Sequence, residues 1–119
     1  MSERQHMSHE VYVEQIRHDV LRVIKQAIDA KVRLLLAVRD IYAPLHQPEL
    51  EKNVRPEDFL FLKVVASECD GLPLGTERQY WAPESLREKD LEIESYERKI
   101  GAELLSTLAR IADSLSQAL

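Results

Sequence analysis

Phe59-Leu60-Phe61-Leu62-Lys63-Val64-Val65-Ala66 is the stretch on which the fold turns. Aromatic and β-branched residues give it strand propensity, and a short apolar run of this length is consistent with a buried strand. A strand needs a neighbour, however. No second stretch offers itself for pairing, and a lone strand would leave its backbone N–H and C=O groups unsatisfied. The flanks favour a helix. Pro56-Glu57-Asp58 has the character of a first turn, since proline suits the first helical position and acids suit the positive end of the helix dipole. Asp70-Gly71 supplies a stop, with glycine suited to a left-handed cap. The stretch therefore reads as a helix near 57–70. Apolar side chains nearly all round predict that it is central and mostly buried.

Working outward, the chain before this stretch is also helical in pattern. Val13, Ile16, Val20, Ile24 and Ala27 recur at gaps of three and four, with Gln15, Arg17, Asp19, Arg22 and Lys25 assigned to the polar side. The stripe continues through Val32, Leu35, Val38 and Tyr42 until Pro44 stops it. Asp29-Ala30 is the expected break between two helices, because Leu34-Leu35-Leu36 implies burial on more than one side. Residues 44–56, with three prolines, read as a loop. Residues 1–9 are expected to be frayed, leaving 10–119 as one helical domain.

Beyond the stretch, Leu72-Pro73-Leu74-Gly75 is a short, stiff connector, and Thr76 with Gln79 has the spacing of a capping box. Ala82-Pro83-Glu84 restarts a helix. Leu86, Ile93, Tyr96, Ile100, Leu104, Ile111 and Leu115 then keep helical spacing, with no later proline to end it before about residue 117. The expected fold is all-α: an irregular bundle of four to five helices with a long C-terminal helix.

Composition supports this and narrows function. The 119 residues are 45% hydrophobic and 31% charged, enough to build one core and too apolar for disorder. Only 3 glycines and 5 prolines argue against a fold of many tight turns. Sixteen basic and 21 acidic residues give a net charge of −5, with no basic stripe for nucleic acid or an anionic membrane. The longest uncharged apolar run, Leu34–Val38, is far short of a membrane span, and the polar start MSERQHMSHE lacks a signal-peptide core. One cysteine, Cys69, cannot form an internal disulfide. These features together predict a cytoplasmic location.

Chemistry-bearing residues concentrate in SECDGLPLGTERQYW, residues 67–81. As a site, Glu68 and Asp70 would be an acid/base pair with Arg78 clamping an anion. As structure, Glu68 or Asp70 would receive Arg78, while Leu72, Leu74 and Trp81 plug the core. The structural reading is preferred, since no nucleophile, glycine-rich phosphate loop or metal set accompanies the carboxylates. Cys69 lies between two acids, which disfavours its thiolate. The histidines His6, His9, His18 and His46 have no metal-ligand spacing, and His18 reads as a surface partner of Glu14. No catalytic residue, metal or cofactor is therefore assigned.

A second constellation is the charged run from Glu84 to Lys99. Most of it reads as a solvated helix side. Within it Glu88, Asp90 and Glu92 beside Tyr96 form a candidate surface for a basic protein partner. Further on, Leu105, Ala109 and Ala112 make a second apolar edge, a seam for another helix of this chain or of a second copy.

Ser67, Glu68, Asp70, Leu72, Pro73, Gly75, Arg78, Trp81, Leu86, Lys89, Asp90, Glu92 and Ile93 fall on the pattern S-E-x-D-x-L-P-x-G-x-x-R-x-x-W-x-x-x-x-L-x-x-K-D-x-E-I. In this the chain resembles a small uncharacterised bacterial family of helical proteins. It departs from it at Ala82, where a serine cap would be expected before Pro83. The resemblance covers about half of the chain. It implies a compact bacterial helical protein and carries over no catalytic residue. Small acidic proteins of this kind include toxin-neutralising immunity proteins, an analogy at the level of the fold. The expected function is thus non-enzymatic binding of another protein, in the manner of an immunity-type antagonist. Its rivals are a small enzyme using Glu68, Asp70 and Arg78, and a homodimer built on the C-terminal helix.

Overall fold

Ser8 opens the first helix by accepting a hydrogen bond from the Val11 N–H at 3.2 Å. From there a computed structural model describes residues 8–117. Helix α1 runs His9–Ile28, α2 Leu34–Tyr42, α3 Pro48–Glu51, α4 Pro56–Glu68 and α5 Pro83–Gln117. No strand occurs among the described residues. The architecture is the all-α bundle with a long C-terminal helix that the pattern predicts. Residues 1–7, including His6, lie outside the described residues. Of the expected frayed segment, Ser8 and His9 instead form the cap and first turn of α1.

The expected break at Asp29-Ala30 is present. Ala30 adopts φ +60°, a left-handed conformation that an alanine takes at some cost and that turns the chain sharply. The expected loop at 44–56 is more ordered than its prolines suggested. Pro44–His46 forms a 3-10 turn and Pro48–Glu51 a one-turn helix, each with proline in its first turn, where its missing N–H is not needed.

The core gathers Ile24 of α1, Leu35 and Ile41 of α2, Leu45 and Leu50 of the connector, Leu62 of α4, and Ile93, Leu104, Leu108, Ile111 and Leu115 of α5. Helix α1 packs against both α2 and α5, and α4 lies chiefly on α2. His46 meets Tyr42 and Phe59 edge-on, with ring centroids 4.8 and 4.9 Å away, and Tyr42 and Phe59 lie tilted at 5.8 Å, which fixes the start of α4 to the end of α2. The buried Asp58 carboxylate accepts two hydrogen bonds from Arg110, at 2.8 and 3.2 Å, linking α4 to α5.

Helix α4 corrects one expectation. It is a helix, but not a central one. Asp58, Leu62, Val65 and Cys69 face inward, while Leu60 is 60% and Val64 48% exposed. Among the described residues no element covers the outer side of α4. The apolar run therefore reports a helix with one spare apolar side, not a helix enclosed all round.

Candidate functional site

The 67–81 corner is built from two ion pairs that the spacing did not identify. Gly71 takes φ +84° and reverses the chain after α4, as its place in the sequence predicts. Pro73 and Leu74 are buried beyond it. Arg78 then donates through Nη1 to the Pro73 carbonyl at 3.0 Å and to Asp90 Oδ1 at 2.7 Å, and through Nη2 to Asp90 Oδ2 at 2.9 Å. This two-pronged geometry is the strong form of the guanidinium–carboxylate pair. It holds the Asp90 carboxyl below the usual carboxylate range, with Arg33 3.8 Å away adding to the effect.

The second pair joins α2 to the same corner. Arg39 donates to Glu77 at 2.6 and 3.4 Å, and Glu77 also accepts the Leu74 N–H at 3.1 Å. The Arg39 hydrogen bond is the chief reason that Glu77 titrates at about 2. A Cβ at Gly75 would stand 2.4 Å from Arg39 Nη2, so any side chain there would make the guanidinium shift from its place. The capping box expected from Thr76 and Gln79 does not form. Gly75 occupies the cap position of the 3-10 turn Thr76–Tyr80, without a side-chain bond, and Glu77 closes the turn instead.

Both acids expected to meet Arg78 are elsewhere. Glu68 and Asp70 are exposed, and Arg78 reaches forward twelve residues to Asp90. Leu74 is the buried plug, whereas Trp81 is only half-buried. Cys69 is buried, and burial, followed by the negative charges of Glu97 and Glu68, pushes its thiol up to about 11. A hollow of about 210 Å³ beside Cys69, Asp70 and Glu77 adjoins the Arg39 pair. The corner thus aims no pair of free acid and base at a common point.

The expected partner surface separates in the same way. Glu88 is exposed, but Asp90 is taken by Arg78, Glu92 pairs with Lys89 at 3.1 Å, and Tyr96 is half-buried against the core. What stands out on this stretch is Leu91, 69% exposed. Its signal was in the sequence: it lies off the stripe set by Leu86, Ile93, Tyr96 and Ile100.

A further hollow of about 370 Å³ lies where α1 meets α3, lined by His9, Val13, Arg17, Glu49 and Lys52 among others. His9 Nε2 and Glu49 Oε2 are 2.5 Å apart, and Glu49 titrates at about 2, held there first by Gln47 and then by His9. Arg17, assigned to the polar side by sequence, is 5% exposed. Its Nε donates to Glu14 at 3.3 Å, and its Nη1 has no partner among the described residues. It sits between Val13 and Val20 on the inward stripe, a placement its charge concealed. Glu14 therefore serves Arg17 and not, as expected, His18. Among the described residues no three His, Cys, Asp or Glu side chains cluster as a metal site. No helix among them is long and apolar enough to cross a membrane.

No family model, curated protein or solved structure matches this chain.

Proposed function

We propose that this protein acts by binding another protein, without catalysis, through the N-terminal half of α5. The observation that carries the reading is Leu91, a large apolar side chain standing in water on an acidic helix. Residues 83–97 hold six acids against two bases, and Leu91 lies one helical turn from both Glu88 and Glu94. An apolar contact ringed by like charge suits a partner that brings one apolar residue and several lysines or arginines. Tyr80, 83% exposed at the end of the corner, adds a second aromatic-apolar contact of the kind enriched in interfaces. The rival reading, an enzyme using Glu68, Asp70 and Arg78, has less support, because Arg78 is committed to Asp90 and the Pro73 carbonyl and the two acids are exposed away from it.

Within this reading, the finer assignment is an immunity-type antagonist in a bacterial cytoplasm, a basic toxin domain being the matching partner. Support for it is the resemblance over residues 67–93 and the local negative charge. The test is capture from bacterial lysate on immobilised protein, with Leu91→Glu and Glu88→Lys alongside. The expected result is a partner retained at low salt, released at high salt, and lost with both variants. Recovery of nothing but the protein itself, or of the same set on all three proteins, overturns the proposal.

A further inference from the structure

We infer that the C-terminal half of α5 is an interface for a second copy of this chain, laid antiparallel across it. Ile93, Leu104, Leu108, Ile111 and Leu115 turn one side of α5 into the core. The flank of α5 next to that side carries its own repeat: Arg98, Ala102, Leu105, Ala109, Ala112 and Ser116, at alternating gaps of four and three, with Ala112 half-buried against the core and the others more open. That is the spacing of a helix–helix seam, offset from the one the fold already uses. Leu105 is exposed on it, and a groove of about 500 Å³ runs from Leu105 to Ile28, the exposed end of α1. A second groove, of about 320 Å³, continues from Ile28 past Leu21 to Ala112 and Ser116.

The occupant follows from the pattern being complementary to its own reverse. Place a twofold axis beside Thr107, perpendicular to α5. Leu105 then faces Ala109 of the second copy, so the large residue meets a small one twice. Ala102 faces Ala112, which lets the two backbones come close. Arg98 faces Ser116, and Lys99 flanks Asp113. Lys99 and Asp113 are both exposed, and neither makes an ion pair among the described residues of its own chain. The antiparallel register creates that pair twice and opposes no like charges along the seam. The acidic half of α5 plays no part in this contact, so the inference stands apart from the function proposed above.

The experiment is sedimentation equilibrium of the purified chain, with helicity followed by circular dichroism as a check on folding. All the substituted side chains are exposed, so the variants are expected to keep the native helicity. The wild type should be a reversible dimer. Leu105→Glu should be a monomer. Lys99→Glu and Asp113→Lys should each weaken the dimer by about tenfold or more, and the double swap should restore it. Three outcomes overturn the inference: a wild type that is monomeric at every concentration, a dimer indifferent to Leu105→Glu, or a double swap no better than its single components.

Discussion

Glu77 shows how one residue without a side chain sets the chemistry of another. Its low titration depends first on Arg39, and the Arg39 guanidinium occupies space that a Cβ at position 75 would contest. Gly75→Ala should push the guanidinium aside and let Glu77 rise from about 2 towards the ordinary glutamate value near 4.3, read by NMR titration. Because the folded-state value lies below the unfolded one, this pair adds stability above about pH 4.3 and loses it as pH falls through about 2. The variant should therefore show a flatter loss of stability over that range, and an unchanged Glu77 titration would refute the dependence. Arg17 poses the opposite case, a buried guanidinium with a nitrogen that has no partner among the described residues. Replacing an incompletely paired buried ion by an apolar side chain of similar length is neutral or stabilising. Arg17→Met should thus raise stability by 0 to about 2 kcal/mol in urea unfolding, and a loss of more than about 1 kcal/mol would mean that the ion is needed. At this scale the sequence was half legible. Arg78 stood out as a clamp, and Cys69 as a poor thiolate. Asp90 was visible only as surface charge, because the partner of an arginine is chosen by where two helices cross, and that crossing has no trace in local spacing.

Helix α4 separates propensity from burial. Leu60 and Leu62 are the same residue type on the same helix, two positions apart, and point to opposite surroundings. Leu62→Ala should cost about 3 kcal/mol, in the range for truncating an enclosed leucine. Leu60→Ala should change stability by less than about 0.5 kcal/mol. Equal losses in denaturant titrations would mean that α4 is enclosed after all. The helices themselves were readable because their signals are local: the proline at the start of α4, the glycine at its end, and the unbroken period of α5. The break after Ile28 was readable too, from the excess of leucines that follow it. What could not be read was which side of an all-apolar helix the bundle leaves open, since that depends on how many other elements reach it. The turns inside 44–56 were missed for a related reason. Proline forbids helix to the residue before it while favouring a new start at its own position, so three prolines look like a loop whether or not short helices lie between them.

The molecule as a whole is longer than its chain length requires. Its radius of gyration is 16.1 Å, against about 13.5 Å expected for a rounded domain of this size. The long axis, 54 Å, is the length of α5. The cause is an uneven helix: every fully enclosed residue of α5 lies at or beyond Ile93, so the first ten residues project past the core. Little holds this projection except the clamp from Arg78 to Asp90, with Arg33 nearby. If that clamp is what keeps the acidic end of α5 ordered, Asp90→Ala should speed amide hydrogen exchange over residues 84–92 and leave residues 104–115 as protected as before. Acid should have the same local effect in the wild type, but only below the usual carboxylate range, because Arg78 keeps Asp90 ionised to lower pH. Exchange that accelerates uniformly along α5 would show instead that the helix opens as a single unit, with the corner acting on the whole bundle rather than on one end of it.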